Sequence, residues 1–596
     1  MRAEHFSLPL LTRYRTKFRG FSGEAYEEKV KSWNSFGFSG MTGSRLCVPY
    51  LGMLSFQCFP GGKRRRGSEI LPIRPSYAMP HTHTDVVVIG AGHNGLVAAL
   101  FLARSGLAVT VLEDKPVIGG AVRTERPFKK APRLGASTGA YLLGLMPPEL
   151  IAKMGVPIPV KRRDPHYFLP TTDGRYLLFG SDQEAVRRQF IQFFSAQDWR
   201  AHQAMQAELA QIRGDIAPTW LEEPLAIEDT ADRYVRAPLR QVFVDLCRKP
   251  VGHYLDRFDW KSDLVKAMYA VTDGFPGLYG SWDTPGTGHN FLVHNMCRLP
   301  GADGTWMIVE GGMGTVTHNI AEGARQYGGH IEVHARVEQV IIEGGQACGV
   351  VLADGRELHA RTVVCNADPF RMRELIGRDK LDASYHARLD AYAQRPGSTF
   401  KVNLALKRLP RFTCLPEDRG QFGPTIHLLP DEKDVMRSIR EGFEQVRRGE
   451  LDPFPTIEWY VHTTIDPSLR DDEGHHNAAL FVQWVPIELQ GTTWEREEER
   501  YTRHLLSICD RFAPGTSDLV VDTFALHPQK IEQHFGITRG HIHHVDNGFG
   551  FADRLPYVTP IAGLYSCSAG CHPAGSVIGA AGHNAAMRVL RDLDRC

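Results

Sequence analysis

Six residues at positions 90–95, Gly-Ala-Gly-His-Asn-Gly, have the spacing of a turn that binds the phosphates of a dinucleotide. Gly90 lets the chain turn sharply, Gly92 lets a pyrophosphate approach the backbone, and Gly95 lets a helix pack closely on a sheet. A helix that begins here presents free N–H groups and its positive dipole end to the anion. The candidate phosphate-binding residues are therefore Gly90, Gly92, His93, Asn94 and Gly95.

The elements around this turn have the pattern that such a site requires. Residues 85–89 form a short run rich in β-branched residues, which predicts a buried parallel strand. Residues 96–105 predict a helix that ends at Gly106, and residues 108–112 predict a second strand that ends at Glu113. We expect the Glu113 carboxylate to accept hydrogen bonds from the ribose hydroxyls, and it argues against the 2′-phosphate of NADP.

A second glycine pair follows the acid and extends the predicted phosphate site. Gly119 and Gly120 are followed by Arg123 and a threonine. This extension resembles the FAD-binding flavoprotein oxidoreductases of the amine oxidase and carotenoid desaturase type, and NAD dehydrogenases do not normally carry it. The predicted cofactor is therefore FAD.

Further blocks make the resemblance more specific. The segments VIGGAVRTE, VEGGMGTVTHNIA, TPGTGHNFLVHN, KVNLALKRLP and GLYSCSAGCHPAGSVIGAAGHNAA are similar to the phytoene desaturase-like FAD-dependent oxidoreductases, over roughly residues 84–596. The resemblance implies that the backbone of Val337 lies against the adenine and that Gly570 and Gly575 lie at the flavin end. Ser568, Ala574 and His583 depart from the usual pattern of that last block.

The resemblance implies an α/β fold with a Rossmann-like (GR2-type) FAD-binding domain and an inserted mixed α+β substrate domain. The FAD-binding domain is predicted to be discontinuous and to comprise residues 81–145, 301–375 and 555–596. The substrate-binding domain is predicted from residues 146–300 and 376–554.

Charge marks a boundary close to the start of the nucleotide motif. The 596 residues have a net charge of +1, yet residues 1–80 hold 13 of the 69 basic residues and only five of the 68 acidic ones. The rest is mildly acidic, which argues against nucleic-acid binding. The basic leader is either a presequence, which implies the mitochondrial matrix, or a mis-assigned start before Met79, which implies the cytoplasm.

Cysteine and histidine usage excludes several kinds of chemistry. The 11 cysteines are scattered, and no C-x4-C pair follows the nucleotide motif, so disulfide reduction is disfavoured. No second nucleotide motif is evident, so electrons are expected to leave to O2, a quinone or another diffusible acceptor. His541 and His543 would share a face on a strand, but no partner stands at a metal-binding spacing, and no metal is predicted.

Three histidines and one apolar stretch are candidates for either a structural or a functional role. His289 and His294 either line the substrate cavity or make structural hydrogen bonds, and His572 is a weak catalytic candidate beside the flavin. The apolar stretch at residues 141–148 is either core or an apolar entrance that touches a bilayer surface without spanning it.

These observations predict an FAD-dependent oxidoreductase that acts on a hydrophobic, polyene or isoprenoid, substrate. Two alternatives stay open, a mitochondrial regulatory flavoprotein with low turnover and an FAD-dependent amine oxidase.

Overall fold

The computed structural model describes residues 84–301 and 304–594. The basic leader at residues 1–80 lies outside this range, so its two interpretations stay predictions. In chain order the strands are β1 (Val86–Ile89), β2 (Val109–Leu112), β3 (Thr124–Glu125), β4 (Ala136–Ser137), β5 (Val160–Lys161), β6 (Tyr167–Pro170), β7 (Tyr176–Phe179), β8 (Ile308–Val309), β9 (His330–Glu332), β10 (Val337–Glu343), β11 (Gln346–Leu352), β12 (Glu357–His359), β13 (Thr362–Cys365), β14 (Thr399–Leu406), β15 (Thr425–Leu428), β16 (Thr456–Tyr460), β17 (His476–Gln483), β18 (Val520–Leu526) and β19 (Leu564–Ser566).

The described residues also form 17 α-helices. They are α1 (His93–Arg104), α2 (Pro148–Met154), α3 (Gln183–Phe193), α4 (Ala196–Ile216), α5 (Ile227–Tyr234), α6 (Arg240–Arg248), α7 (Val251–Leu255), α8 (Asp263–Tyr269), α9 (Thr287–His294), α10 (Gly314–Gln326), α11 (Pro369–Ile376), α12 (Ala383–Ala393), α13 (Glu432–Arg447), α14 (Trp494–Phe512), α15 (Thr516–Leu519), α16 (Pro528–Phe535) and α17 (Ala580–Leu593). A π-helical turn, Ala270–Gly274, continues α8.

The first sheet is parallel and carries the nucleotide motif. Its strands run in the order β19-β13-β1-β2-β9, with all neighbouring pairs parallel. Helices α10 and α17 both pack against α1. The four residues of β1 are buried, as the β-branched run predicted for a strand of a parallel sheet.

The second sheet is larger and mainly antiparallel. Its order is β18-β14-β17-β16-β15-β6-β7, and β15 with β6 is its parallel pair. Strands β14 and β17 pair over eight residues, from Thr399 opposite Gln483 to Leu406 opposite His476. The strands of this sheet come from the two segments predicted to form the substrate domain. A separate antiparallel meander, β10-β11-β12, lies in the chain between β9 and β13 of the first sheet.

Helices α3 to α9 form a layer beside the second sheet, and one prediction made for this layer is wrong. The sequence pattern predicts one helix over residues 184–216, whereas the structure has α3 and α4 separated at Phe194 and Ser195. Ser195 caps α4 by accepting the N–H of Asp198 at 3.0 Å. A serine N-cap starts a new helix because its side chain satisfies a free N–H of the first turn.

No helix in residues 84–301 or 304–594 combines the length and the apolar composition that crossing a membrane requires.

We predict that Gly95→Ala destabilises the fold. A Cβ atom at Gly95 would lie 2.2 Å from the carbonyl oxygen of Gly90, so α1 would have to move away from the sheet. Overpacking of this kind costs about 1–3 kcal/mol and should lower the thermal midpoint of unfolding. Gly214→Ala is the matched control, because nothing lies within 4 Å of its added Cβ and the midpoint should stay or rise. Equal midpoints for both variants would contradict the packing argument.

Candidate active site

One cavity of about 780 Å³ lies between the nucleotide motif and the second sheet. Its nucleotide end is lined by residues of the β1–α1 turn, the glycine pair and β10. Its deep end is lined by strands β14, β15, β16 and β17 and by the π-helical turn. This volume falls within the usual range for ligand pockets, and the two ends draw on different sheets.

The β1–α1 turn has the geometry that the motif predicts. Gly90 has a positive φ of 93°, which a side chain would disfavour, and a Cβ at Gly92 would lie 2.7 Å from Asn366 Nδ2. No side chain caps α1, so the N–H groups of its first turn are left for an anion. Asn94 is 2% exposed, and its Oδ1 has no hydrogen-bond partner in the described part of the chain.

Glu113 lies where a ribose acid is expected, at the end of β2. Its Oε2 accepts the N–H of Ala91 at 2.8 Å, and its Oε1 accepts the N–H of Lys115 at 2.9 Å. Burial raises the pKa of Glu113. Each carboxylate oxygen keeps a further lone-pair site, so ribose hydroxyls can still donate to it.

The other residues predicted for this end fall into two groups. Gly119, Gly120, His93 and Val337 line the cavity with Gly90, Gly92, Asn94 and Glu113. Burial lowers the pKa of His93 to about 3, so its imidazole is neutral. The backbone of Gly92 at the cavity wall, the unpaired Asn94 Oδ1 and the uncapped first turn of α1 fit a dinucleotide such as FAD.

Arg123, Gly95, Gly570 and Gly575 do not line the cavity. Gly95 lies against the sheet, as its packing role predicts. A Cβ at Gly575 would lie 2.5 Å from His543 Nδ1, so its place is one of close packing. In the C-terminal loop the cavity is lined by Ala569, Ser576 and Val577. Ser576 and Val577 both have positive φ, a strained backbone that is enriched at functional sites.

His572, the weak catalytic candidate, lies away from the cavity. Its ring Nε2 hydrogen-bonds the carbonyl of Thr219 at 2.9 Å, and its ring packs against Phe551. The prediction that it faces the flavin is not supported, because this loop turns its side chain toward the helical layer. Of the two other histidines, His289 bonds the carbonyl of Asn547, whereas His294 lines the cavity.

The segment at residues 541–544, His-Ile-His-His, does not form a strand. His541 and His543 follow a short 3₁₀ turn, and His543 and His544 line the cavity. Within the described residues, no three His, Cys, Asp or Glu side chains are grouped as metal ligands.

A row of side chains that the sequence analysis missed forms the wall of the deep end. Lys401 on β14 lies opposite Phe481 on β17, Phe481 lies opposite Glu458 on β16, and Glu458 lies opposite His427 on β15. Residues directly opposite one another share a face of the sheet. All four line the cavity, and we call them the deep-end row.

The deep-end row carries buried charge. Lys401 Nζ lies 4.2 Å from the ring centre of Tyr141 and 4.3 Å from that of Phe481, and burial lowers the pKa of Lys401 to about 7. Tyr460 donates a short hydrogen bond to Glu458. Asp273, in the π-helical turn, also lines the cavity, and burial raises its pKa to about 7. Titratable groups with pKa values near neutrality in a cleft are typical of active sites.

A segment at residues 528–544, which we call the strap, covers the nucleotide end. Ile531, Gln533 and Phe535 of the strap line the cavity. His534 Nε2 lies 3.0 Å from Glu125 Oε2, and the guanidinium of Arg123 lies 4.9 Å from the Phe535 ring centre. Burial opposes ionisation, but hydrogen bonds from His534 and Thr138 lower the pKa of Glu125 to about 2.

The strap is also tied at its other end. Thr538 donates its N–H and its hydroxyl to Asp368 Oδ2, at 3.0 and 2.9 Å. Asp368 follows β13 and lines the cavity. The strap is therefore fastened at two places over the nucleotide end, to Arg123 and Glu125 at β3 and to Asp368 after β13.

Comparisons with known proteins agree with this geometry. The profile of the family described as flavin containing amine oxidoreductase matches residues 95–423. The chain is 32% identical over 583 residues to pyridine nucleotide-disulfide oxidoreductase domain-containing protein 2 of Mus musculus, covering 90% of this chain and 97% of that one.

Two further relatives and one solved structure are informative. A subunit of the limonene dehydrogenase of Castellaniella defragrans is 24% identical, over 85% of this chain and 95% of its own. Hydroxyneurosporene desaturase of Cereibacter sphaeroides is 28% identical, over 48% of this chain and 56% of its own. A structure of putrescine oxidase bound to putrescine superposes with a TM-score of 0.54 at 16% identity, over 86% of this chain and 99% of that one.

We predict that Glu125→Gln speeds the release of bound FAD. The substitution removes the charge that holds His534 and Arg123, so the strap should open more often. A partly buried ion pair of this kind is worth about 1 kcal/mol, which corresponds to roughly fivefold faster release. Release is measured from the gain in flavin fluorescence after dilution.

Glu343→Gln is the control for this measurement, because Glu343 is an exposed carboxylate at the end of β10. Identical release rates for the two variants would show that the strap does not retain the cofactor.

Proposed function

The chain belongs to the family of flavin-containing amine oxidoreductases, and on that premise we propose that it dehydrogenates an isoprenoid-like substrate at the deep end of the cavity. Family membership confirms the predicted FAD cofactor, the α/β FAD-binding fold and the oxidoreductase class. The identity of the substrate is the step that we propose.

The observation that carries this proposal is the continuity of the cavity from the nucleotide motif to the deep end. Leu142, Trp306 and Ile542 give the deep end apolar walls beside the deep-end row. Leu142 belongs to the apolar stretch at residues 141–148, so part of that stretch is cavity wall. The names of the limonene and hydroxyneurosporene relatives support an isoprenoid skeleton for such a space.

The residues of this chain orient the reactants and handle protons. When bound, FAD supplies the acceptor for a hydride. The deep-end row lies on a regular sheet whose strands are buried, so it can hold a substrate in one position and exclude water. With a pKa of about 7, Lys401 is partly neutral at physiological pH and can accept a proton.

The electron acceptor and the location of the protein are further proposals. Within the described residues, no cysteine lines the cavity, which supports transfer to O2 or a quinone rather than to a dithiol. Peripheral membrane contact would suit a quinone or a lipid-soluble substrate. The mitochondrial matrix stays the proposed location if the leader is a presequence.

Amine oxidation is the second candidate, and the acidic groups of the deep end favour it. Glu458 is a buried carboxylate and Asp273 a half-buried one, and the rings of Tyr141 and Tyr460 lie 5.3 Å apart. Carboxylates and aromatic faces together bind organic cations.

The two candidates are separated by mixing the FAD-loaded full chain with limonene, geraniol or putrescine without oxygen and following the visible flavin absorbance. Bleaching by a terpenoid supports the proposed function, and bleaching by putrescine alone supports amine oxidation. A chain that binds no FAD would overturn both.

We predict that Lys401→Met slows flavin reduction by roughly 10²- to 10⁴-fold, the usual contribution of a proton-transfer group. In the natural chain the rate should rise with pH through about 7, because the neutral amine accepts the proton. The variant should lack that rise. Lys407→Met, at an exposed lysine just beyond the same strand, is the control and should keep both the rate and its pH profile.

We also predict that Lys401→Met stabilises the protein at neutral pH. Burial depresses the pKa of Lys401 from its ordinary value of 10.5, so between about pH 7 and 10.5 the unfolded chain binds more protons and stability rises with pH. Met at this position removes a penalty of about 4 kcal/mol at pH 7, and the difference should vanish above about pH 10.5. A thermal midpoint for Lys401→Met that is unchanged at pH 7 would contradict this account.

A further inference from the structure

Several polar atoms of the deep end have no hydrogen-bond partner among residues 84–301 and 304–594. They are Tyr141 Oη, Glu458 Oε1 and both ring nitrogens of His427. Lys401 is 5% exposed, and its ammonium faces two aromatic rings, with no hydrogen-bond acceptor among the described residues. Each unpaired buried polar group costs about 1–3 kcal/mol, so a ligand or water that pairs with several of them gains substantially.

The unpaired atoms include both donors and acceptors. Glu458 Oε1 is an acceptor, and Lys401 offers N–H donors two strands away, about 10 Å by the usual strand spacing. His427 Nε2 lies 3.7 Å from Glu458 Oε1, and its neutral ring has one donor and one acceptor. A pure hydrocarbon could satisfy none of these atoms.

Charge narrows the choice of polar group further. A substrate carboxylate would meet the carboxylates of Glu458 and Asp273, whereas a substrate ammonium could pair with Glu458 but has no lone pair to accept a hydrogen bond from Lys401. Desolvated like charges are strongly unfavourable. A hydroxyl group is uncharged and both donates and accepts, which matches the mixed set of atoms along the deep-end row.

We propose that the substrate carries a hydroxyl group and that the deep-end row is the site that binds it, with Glu458 Oε1 accepting its O–H. This inference rests on the proposed function and adds the polar group to the isoprenoid-like skeleton. Tyr460 holds the other carboxylate oxygen of Glu458 and so orients the free one toward this position.

The test compares four probes that share one carbon skeleton: geraniol, geranic acid, geranylamine and 2,6-dimethylocta-2,6-diene. Each is titrated into the FAD-loaded full chain at pH 7 without oxygen, and binding is read from the shift of the flavin absorption bands. We expect geraniol to bind roughly 10- to 100-fold more tightly than the hydrocarbon. Equal binding of the two would mean that only water fills the polar positions and would overturn the inference.

Two substitutions of Glu458 test whether this residue causes the preference for geraniol over the hydrocarbon. Glu458→Met removes the acceptor at similar volume and should bring the ratio of geraniol to hydrocarbon affinity close to one. Glu458→Gln keeps a carbonyl oxygen and should preserve most of the ratio. Asp452→Asn is the control, because Asp452 is a buried carboxylate that does not line the cavity.

Each remaining outcome is decisive. A Glu458→Met variant that retains the full ratio would overturn the inference, as would tightest binding by the acid or the amine, or no band shift with any probe. If Glu458→Met does not fold, the comparison of the four probes on the natural chain still decides. Flavin bleaching by the hydrocarbon would support the proposed function and overturn the hydroxyl site, so the two can fail separately.

Discussion

The close approach of two backbone segments at the β1–α1 turn is the contact on which the rest of the site depends. Because Gly95 lacks a side chain, α1 can pack close to the carbonyl of Gly90, and its first turn then points into the cavity. The same approach places Asn366, at the end of β13, beside Gly92. Nucleotide-binding amides, the ribose acid and the neighbouring strand end are thereby brought to one edge of the parallel sheet, where ligands of such sheets bind.

The second sheet buries charged groups that are not paired with one another. Lysine and glutamate are rarely buried unless they are paired. In the deep-end row an apolar ring separates the two charges: Phe481 lies between Lys401 and Glu458, one strand from each. The row therefore keeps hydrogen-bond donors and acceptors that have no partner, whereas in a packed core they would be paired. These free groups distinguish a ligand-binding wall from an ordinary β-sheet face.

The nucleotide end could be predicted from the sequence because its signals are local. The β-branched run of β1, the glycine spacing and Glu113 lie within about thirty residues, and each constrains the backbone directly. The deep-end row could not be predicted, because strand pairing alone brings Lys401, Glu458 and His427 together. One signal was available: polar residues at alternate positions of otherwise apolar strands, such as Lys401 and Asn403. The direction of His572 could not be predicted because it depends on how a loop turns its side chains.

The order of these parts along the chain has a consequence for biosynthesis. The phosphate-binding turn emerges from the ribosome early, whereas the strap and strand β19 are made more than four hundred residues later. At about 5–20 residues per second this interval is roughly tens of seconds. During that time the parallel sheet lacks its edge strand and the cofactor pocket has no cover. We therefore expect stable loading with FAD to occur late in synthesis, and until then the edge of β13 that pairs with β19 is uncovered.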